Sequence, residues 1–146
     1  MKVLPFLLAT ALLCSCAAPM MNTPSGRPET TIVAPRDQVK SALISDLVNK
    51  HYIIREDEGS VLMAEGDAGG WLDFWFTNTL TGERPRVRVR YTIIDEGQQT
   101  RVIAAIAMAY APGFSGRQSE EEFTNPKLYS NLQQQLDSVR FSLDGQ

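Results

Sequence analysis

Two stretches of the chain repeat apolar residues at the spacing of an α-helix, one over residues 37–50 and one after Asn125. In the first these residues are Val39, Leu43 and Leu47, and in the second they are Leu128, Leu132, Leu136, Val139 and Leu143. Asn125 is a favourable N-cap, and Pro126 suits the first position of a helix. The pattern therefore predicts two helices that each bury one stripe of side chains.

The remaining apolar segments are short, rich in β-branched and aromatic residues, and separated by turn signals such as Glu96-Gly97. They span residues 31–34, 52–55, 60–64, 71–77, 84–95 and 100–111. An Asp-Glu-Gly turn joins the second to the third, and residues 112–124 are expected to form an exposed loop. Consecutive hairpins with few crossovers predict an α+β fold, in which a curved antiparallel sheet of about five to six strands carries both helices on one face.

Side-chain alternation in two of these strands predicts a surface on the other face of the sheet. In 71–77, Leu72, Phe74 and Phe76 share one face, and the two tryptophans share the opposite one. In 84–95 the arginines alternate in the same way with inward valines. The expected partner-binding residues are Trp71, Trp75, Arg86, Arg88 and Arg90, because aromatic and guanidinium groups are enriched at binding hot spots.

Two plainer interpretations of the same surface remain open. Arginines can stack on tryptophans across strands, or pair with Asp73, on a face that only meets solvent. Charged side chains can also protect an edge strand from aggregation.

Composition narrows the classes of function. The chain is 43% hydrophobic and 21% charged, with a formal net charge of -3 and a pI of about 5.1, which excludes disorder throughout and disfavours nucleic-acid binding. Two cysteines and one histidine are too few for a Cys/His zinc site. We find no phosphate loop, nucleophile elbow or His-Glu-x-x-His motif, so we expect a non-catalytic protein with neither cofactor nor metal.

The N-terminus has the form of a secretory signal, with Lys2 before an apolar run over residues 3–13. This run is too short to span a bilayer. Leu13-Cys14-Ser15-Cys16 resembles the lipobox of bacterial lipoproteins, whose invariant cysteine is acylated after cleavage before it. The resemblance implies that Cys16 is the lipid anchor. Ala17 follows this cysteine, and in enterobacterial lipoproteins a residue other than Asp at that position resembles the default that sends the protein to the outer membrane, facing the periplasm.

These signals divide the chain into three parts. Residues 1–15 are the predicted signal peptide, residues 16–30 the acylated cysteine with a flexible tether rich in proline, and residues 31–146 a single periplasmic α+β domain. A fully extended tether of this length would lift the domain roughly 45 Å from the lipid.

The folded part is also similar to small, uncharacterised bacterial lipoproteins. The similar stretches are Val33-Ala34-Pro35, Arg86-Val87-Arg88-Val89, Thr100-Arg101-Val102, and Asn125 with the helix that follows. The order of elements looks like the helix-grip domains of the C subunit of the outer-membrane β-barrel assembly machine. That likeness is topological, and it implies an accessory role in the envelope with a protein partner. The alternative is a module that binds a small apolar ligand or lipid in a cleft between the sheet and the C-terminal helix.

Overall fold

The computed structural model describes residues 21–67, 86–109, 120–122 and 124–145. Its elements are β1 (Glu29–Ile32), α1 (Arg36–Asn49), β2 (Ile53–Glu58), β3 (Val61–Asp67), β4 (Arg86–Asp95), β5 (Thr100–Ala109), β6 (Glu120–Glu122) and α2 (Pro126–Asp144). Five strands form an open antiparallel sheet in the order β1-β5-β4-β3-β2. The three residues of β6 pair with the end of β5, on the same side as β1.

One face of the sheet supplies the core together with both helices. The strand register places alternate residues of β3, β4 and β5 on this face, where Ala64, Val89 and Ile106 lie side by side. The helices contribute Val39, Leu43 and Leu47 from α1, and Leu128, Tyr129, Leu132, Leu136 and Val139 from α2. These side chains form one continuous cluster, so the chain is an α+β protein with both helices packed on the same face.

A buried tyrosine ties the sheet to the two helices. The hydroxyl of Tyr91 on β4 donates to Oε1 of Gln135 on α2 at 3.1 Å, and Nε2 of Gln135 donates to Oδ2 of Asp46 on α1 at 2.7 Å. Burial, with smaller effects of Tyr52 and Asp46, raises the pKa of Tyr91 far above its ordinary value. The phenol is therefore neutral and serves as a fixed donor in the core.

The predicted start of α2 is confirmed. Oδ1 of Asn125 accepts hydrogen bonds from the backbone N–H groups of Lys127 and Leu128, at 2.9 and 3.3 Å, and Pro126 occupies the first helical position. This bonding satisfies donors that the first turn of a helix otherwise leaves free.

Several boundaries differ from the sequence expectation. The first strand begins at Glu29, not at residue 31, because Pro28 and Glu29 already bond to the body of the domain. The chain over 120–122, expected to be an exposed loop, pairs with β5. The expected strand over 71–77 lies outside the described residues.

Residues 21–30, which the sequence assigns to the tether, contact the folded domain in the structure. Met21 packs against the core cluster, and Arg27 forms a 2.8 Å ion pair with Glu122. The backbone of Glu29 bonds in both directions with the side-chain amide of Gln133, at 2.9 and 3.0 Å. Only residues 17–20 separate Cys16 from this packed segment.

Candidate functional site: the open face of the sheet

The face of the sheet opposite the helices, here called the open face, carries charged side chains on its β2, β3 and β4 strands. Antiparallel register sets Glu65 of β3 opposite Arg88 of β4, and Met63 opposite Arg90. The alternation predicted for β4 is confirmed, because the residues that alternate with these arginines are at most 1% exposed: Val87, Val89 and Tyr91. Arg88 and Arg90 therefore lie on the face that the helices leave free.

Glu65 connects three strands of this face. Its side chain is only 5% exposed and receives two guanidinium groups, with Nη2 of Arg55 at 3.1 Å from Oε1 and Nε of Arg88 at 3.2 Å from Oε2. A carboxylate with this little exposure is costly to bury unless charged partners donate to it. The three side chains therefore form one cross-strand unit over β2, β3 and β4, which we call the Glu65 cluster.

A register shift in β2 gives Arg55 its place in the cluster. Ile54 pairs with Ala64, and the next paired residue of β2 is Glu56, opposite Met63, so Arg55 is the extra residue of a β-bulge. Bulges bend the strand locally and re-aim a side chain. Here the extra residue is the one that reaches Glu65.

Arg90 differs from its neighbours in the cluster. It is exposed, and among the residues that the structure describes no carboxylate lies within ion-pair distance of its guanidinium. On β5 its register partner is Ala105, and the partner of Arg88 is Ala107, both small and half-buried. Among the described residues, the β5 side chains opposite the two arginines are therefore small and uncharged, and the side chain of Arg90 is exposed.

The remaining residues expected at this site are only in part described. Trp71 and Trp75 lie outside the described residues, as does Asp73. The backbone of Arg86 starts β4 opposite Ala109. Sequence reasoning missed Glu65 and Arg55, although the hairpin register, once fixed, sets Glu65 opposite Arg88.

A second candidate site is a groove between the two helices, on the far side of the core from the open face. Its volume is about 270 Å³, and its walls are Ala42, Ser45, Asp46, Asn49, Ser138, Val139, Ser142 and Leu143. Hydroxyl, amide and carboxylate groups make up much of this lining. The interface between the sheet and α2, by contrast, is filled by side chains such as Leu132 and Leu136, which are 3% and 0% exposed.

Within residues 21–67, 86–109, 120–122 and 124–145, no group of three or more His, Cys, Asp and Glu side chains is placed to hold a metal ion. In the same part of the chain, neither helix is both long and apolar enough to cross a membrane.

Comparison of the chain with protein-family models gives no match, and comparison with curated proteins gives none either.

Proposed function

We propose that this protein is a lipid-anchored lipoprotein of the cell envelope, in which a non-catalytic domain binds a protein partner through the open face of its sheet. The anchor is Cys16, in the lipobox-like Leu13-Cys14-Ser15-Cys16. The compartment that fits this anchor best is the periplasmic side of the outer membrane. In this proposal the topological likeness to helix-grip domains implies an accessory role beside a protein assembly of the envelope.

The Glu65 cluster is the observation that carries the partner-binding part of the proposal. Opposite charges held on a fixed sheet set the register of a contact and exclude wrong partners. Two guanidinium groups already pair with Glu65, whereas Arg90 stands exposed beside them. A partner that offers a carboxylate and a flat apolar surface would complement Arg90 and the alanines of β5.

The groove between the helices supports the alternative ligand-binding function less well. A site for a small apolar molecule is lined mostly by apolar side chains and buries most of its ligand. This groove carries Asp46 and Asn49 and is open at the surface between the helices. The proposed protein-binding role does not depend on it.

Metabolic labelling with palmitate tests the anchor. Label should enter the wild-type protein and the Cys14→Ser variant equally, because in this proposal Cys14 is removed with the signal. The Cys16→Ser variant should carry no label and should leave the membrane fraction. Equal labelling of both variants would contradict Cys16 as the anchor.

Charge reversal tests the open face. Arg90→Glu should disrupt a complex that native electrophoresis detects in gently solubilised envelopes, since it sets a negative charge where a partner carboxylate is expected. Arg140→Glu is the matched control, because Arg140 lies on α2 and pairs only weakly with Asp137, at 3.7 Å. A complex unaffected by Arg90→Glu, or lost equally in both variants, would count against this face.

A further inference from the structure

The groove between α1 and α2 has an apolar floor and polar walls. Ala42, Val139 and Leu143 form the floor, where they belong to the core cluster or pack against it. The walls carry hydroxyl, amide and carboxylate groups from both helices: Ser45, Asp46, Asn49, Ser138 and Ser142. A volume of about 270 Å³ is small for a ligand pocket and suits a single side chain or a small molecule.

The two serines of α2 present acceptors to this groove. The hydroxyl of Ser138 donates to the carbonyl of Gln134 at 2.9 Å, and the hydroxyl of Ser142 donates to the carbonyl of Val139 at 2.7 Å. A hydroxyl group has one hydrogen and two lone pairs, so both serine oxygens can only accept from a further partner.

The carboxylate of Asp46 adds a negative charge to the wall formed by α1. Its side chain is 25% exposed, and its Oδ2 accepts hydrogen bonds from Nζ of Lys50 at 2.8 Å and from Nε2 of Gln135 at 2.7 Å. Within the part of the chain that the structure describes, no group donates to Oδ1 of Asp46. One oxygen of this carboxylate is therefore available to a donor in the groove.

The position of the groove along the helices favours a cation as well. Its walls belong to the C-terminal parts of both helices, at residues 42–49 of α1 and 138–143 of α2. The C-terminal end of a helix carries a partial negative charge, which a basic side chain in the last turn can balance. The last turn of α1 and the last turn of α2 contain no basic residue.

We propose that this groove binds an alkylammonium group, carried by a small aliphatic amine or by a lysine of a peptide. An ammonium group has three donors and no acceptor, which complements Oδ1 of Asp46 and the serine oxygens of α2. Its alkyl chain then covers the apolar floor at Val139 and Leu143. The groove lies on the far side of the core from the open face, so this inference goes beyond the proposed function and does not depend on it.

Titration of the full mature chain in micelles of a neutral detergent, followed by the amide chemical shifts in NMR spectra, tests the site. The probes are cadaverine and Nα-acetyl-lysine amide, which imitates the lysine of a peptide, and sodium chloride of equal ionic strength is the control for screening. We expect saturable shifts confined to the groove with at least one probe. The probe that binds more tightly identifies the source of the ammonium group.

Two variants in the groove should weaken the binding of the probe. Asp46→Asn removes the charge but keeps an acceptor for Gln135, and the dissociation constant should rise about tenfold or more, as expected for the loss of a hydrogen bond to a charged group. Ser45→Lys, at an exposed position, sets a tethered ammonium group beside the groove and should compete with the probe. Thr31→Lys is the matched control, because it makes the same change in net charge at an exposed position of β1, opposite Arg101.

Three results would overturn the proposal. The first is the absence of saturable shifts with both probes. The second is a set of shifts spread over the acidic surface, which would show only general attraction of cations. The third is an affinity that both groove variants leave unchanged, or that Thr31→Lys lowers as much as Ser45→Lys does.

Discussion

The two faces of the sheet are both ordered, but by different interactions. The face under the helices is held by uncharged side chains such as Val89, Ile106 and Leu136, which are at most 1% exposed. On the open face, the carboxylate of Glu65 pairs with two guanidinium groups. Burial of apolar side chains is non-directional and supplies stability with almost any apolar neighbour. A cluster of charged side chains requires groups of opposite charge at fixed positions. The first face accounts for the fold, and the second is where we expect specificity.

Truncation under the helices should produce the largest loss of stability. Leu136→Ala removes a side chain that is 0% exposed, and we expect the free energy of unfolding to fall by about 2–5 kcal/mol in chemical denaturation. Leu143→Ala, on the same helix but only half-buried at the groove, is the control and should cost clearly less. Similar losses for both variants would show that α2 is not held by the stripe we describe.

Removal of the carboxylate charge of Glu65 should lower the free energy of unfolding less than Leu136→Ala does, but more than a substitution at an exposed position does. Glu65→Gln keeps the shape and leaves two guanidinium groups without their carboxylate, so we expect a loss of about 1–3 kcal/mol by the same measurement. Glu58→Gln, at an exposed position of β2, should change stability by no more than about 0.5 kcal/mol. If Glu65→Gln behaved like Glu58→Gln, the cluster would not hold this face together.

Alkaline pH should weaken the helix-covered face. Burial raises the pKa of Tyr91 and of Tyr129, and the charge of Glu122 adds to the shift at Tyr129. The tyrosines of the unfolded chain ionise near pH 10, at a lower pH than the same tyrosines in the folded protein. The stability that the two neutral tyrosines contribute is therefore complete below pH 10 and is lost as the pH rises above it.

The free energy of unfolding should fall by at most about 1.4 kcal/mol per pH unit for each tyrosine, measured by denaturation between pH 9 and 11. Tyr91→Phe should reduce the slope, although it also removes the hydrogen bond to Gln135. An unchanged slope in this variant would argue that Tyr91 does not contribute to the alkaline loss.

The smallest effect is expected at the start of α2. Asn125→Ala removes the acceptor for two backbone N–H groups and should cost about 1 kcal/mol of stability, detectable as a lower Tm. Asn125→Asp keeps an acceptor at the same position and should remain close to the wild type. A loss of the same size with aspartate would mean that the cap contributes little.

The helices and the alternation of β4 could be predicted because their signals are local. Asn125-Pro126 marks a helix start within two residues, and the valines of β4 mark its buried face by their period. The bulge at Arg55 could not be predicted from local signals, because it depends on which residues of β2 and β3 pair. The same is true of Glu65, whose burial follows from the hairpin register and not from its own segment.

The contacts of residues 21–30 with the domain could not be predicted for a related reason. Residues 21–30 have the proline-rich composition of a linker, yet they are fixed by partners far along the chain. Arg27 pairs with Glu122 across 95 positions, and Glu29 bonds to Gln133 across 104. No local pattern in the segment indicates these contacts.

The most direct test of the central claim is photo-cross-linking in intact cells from position 90 on the open face, compared with position 41 on α1. Both positions are exposed, and they lie on opposite sides of the sheet. The account predicts a discrete adduct with an envelope protein from position 90 and none from position 41. Adducts from position 41 alone, or no specific adduct from position 90, would contradict the open face as the recognition surface.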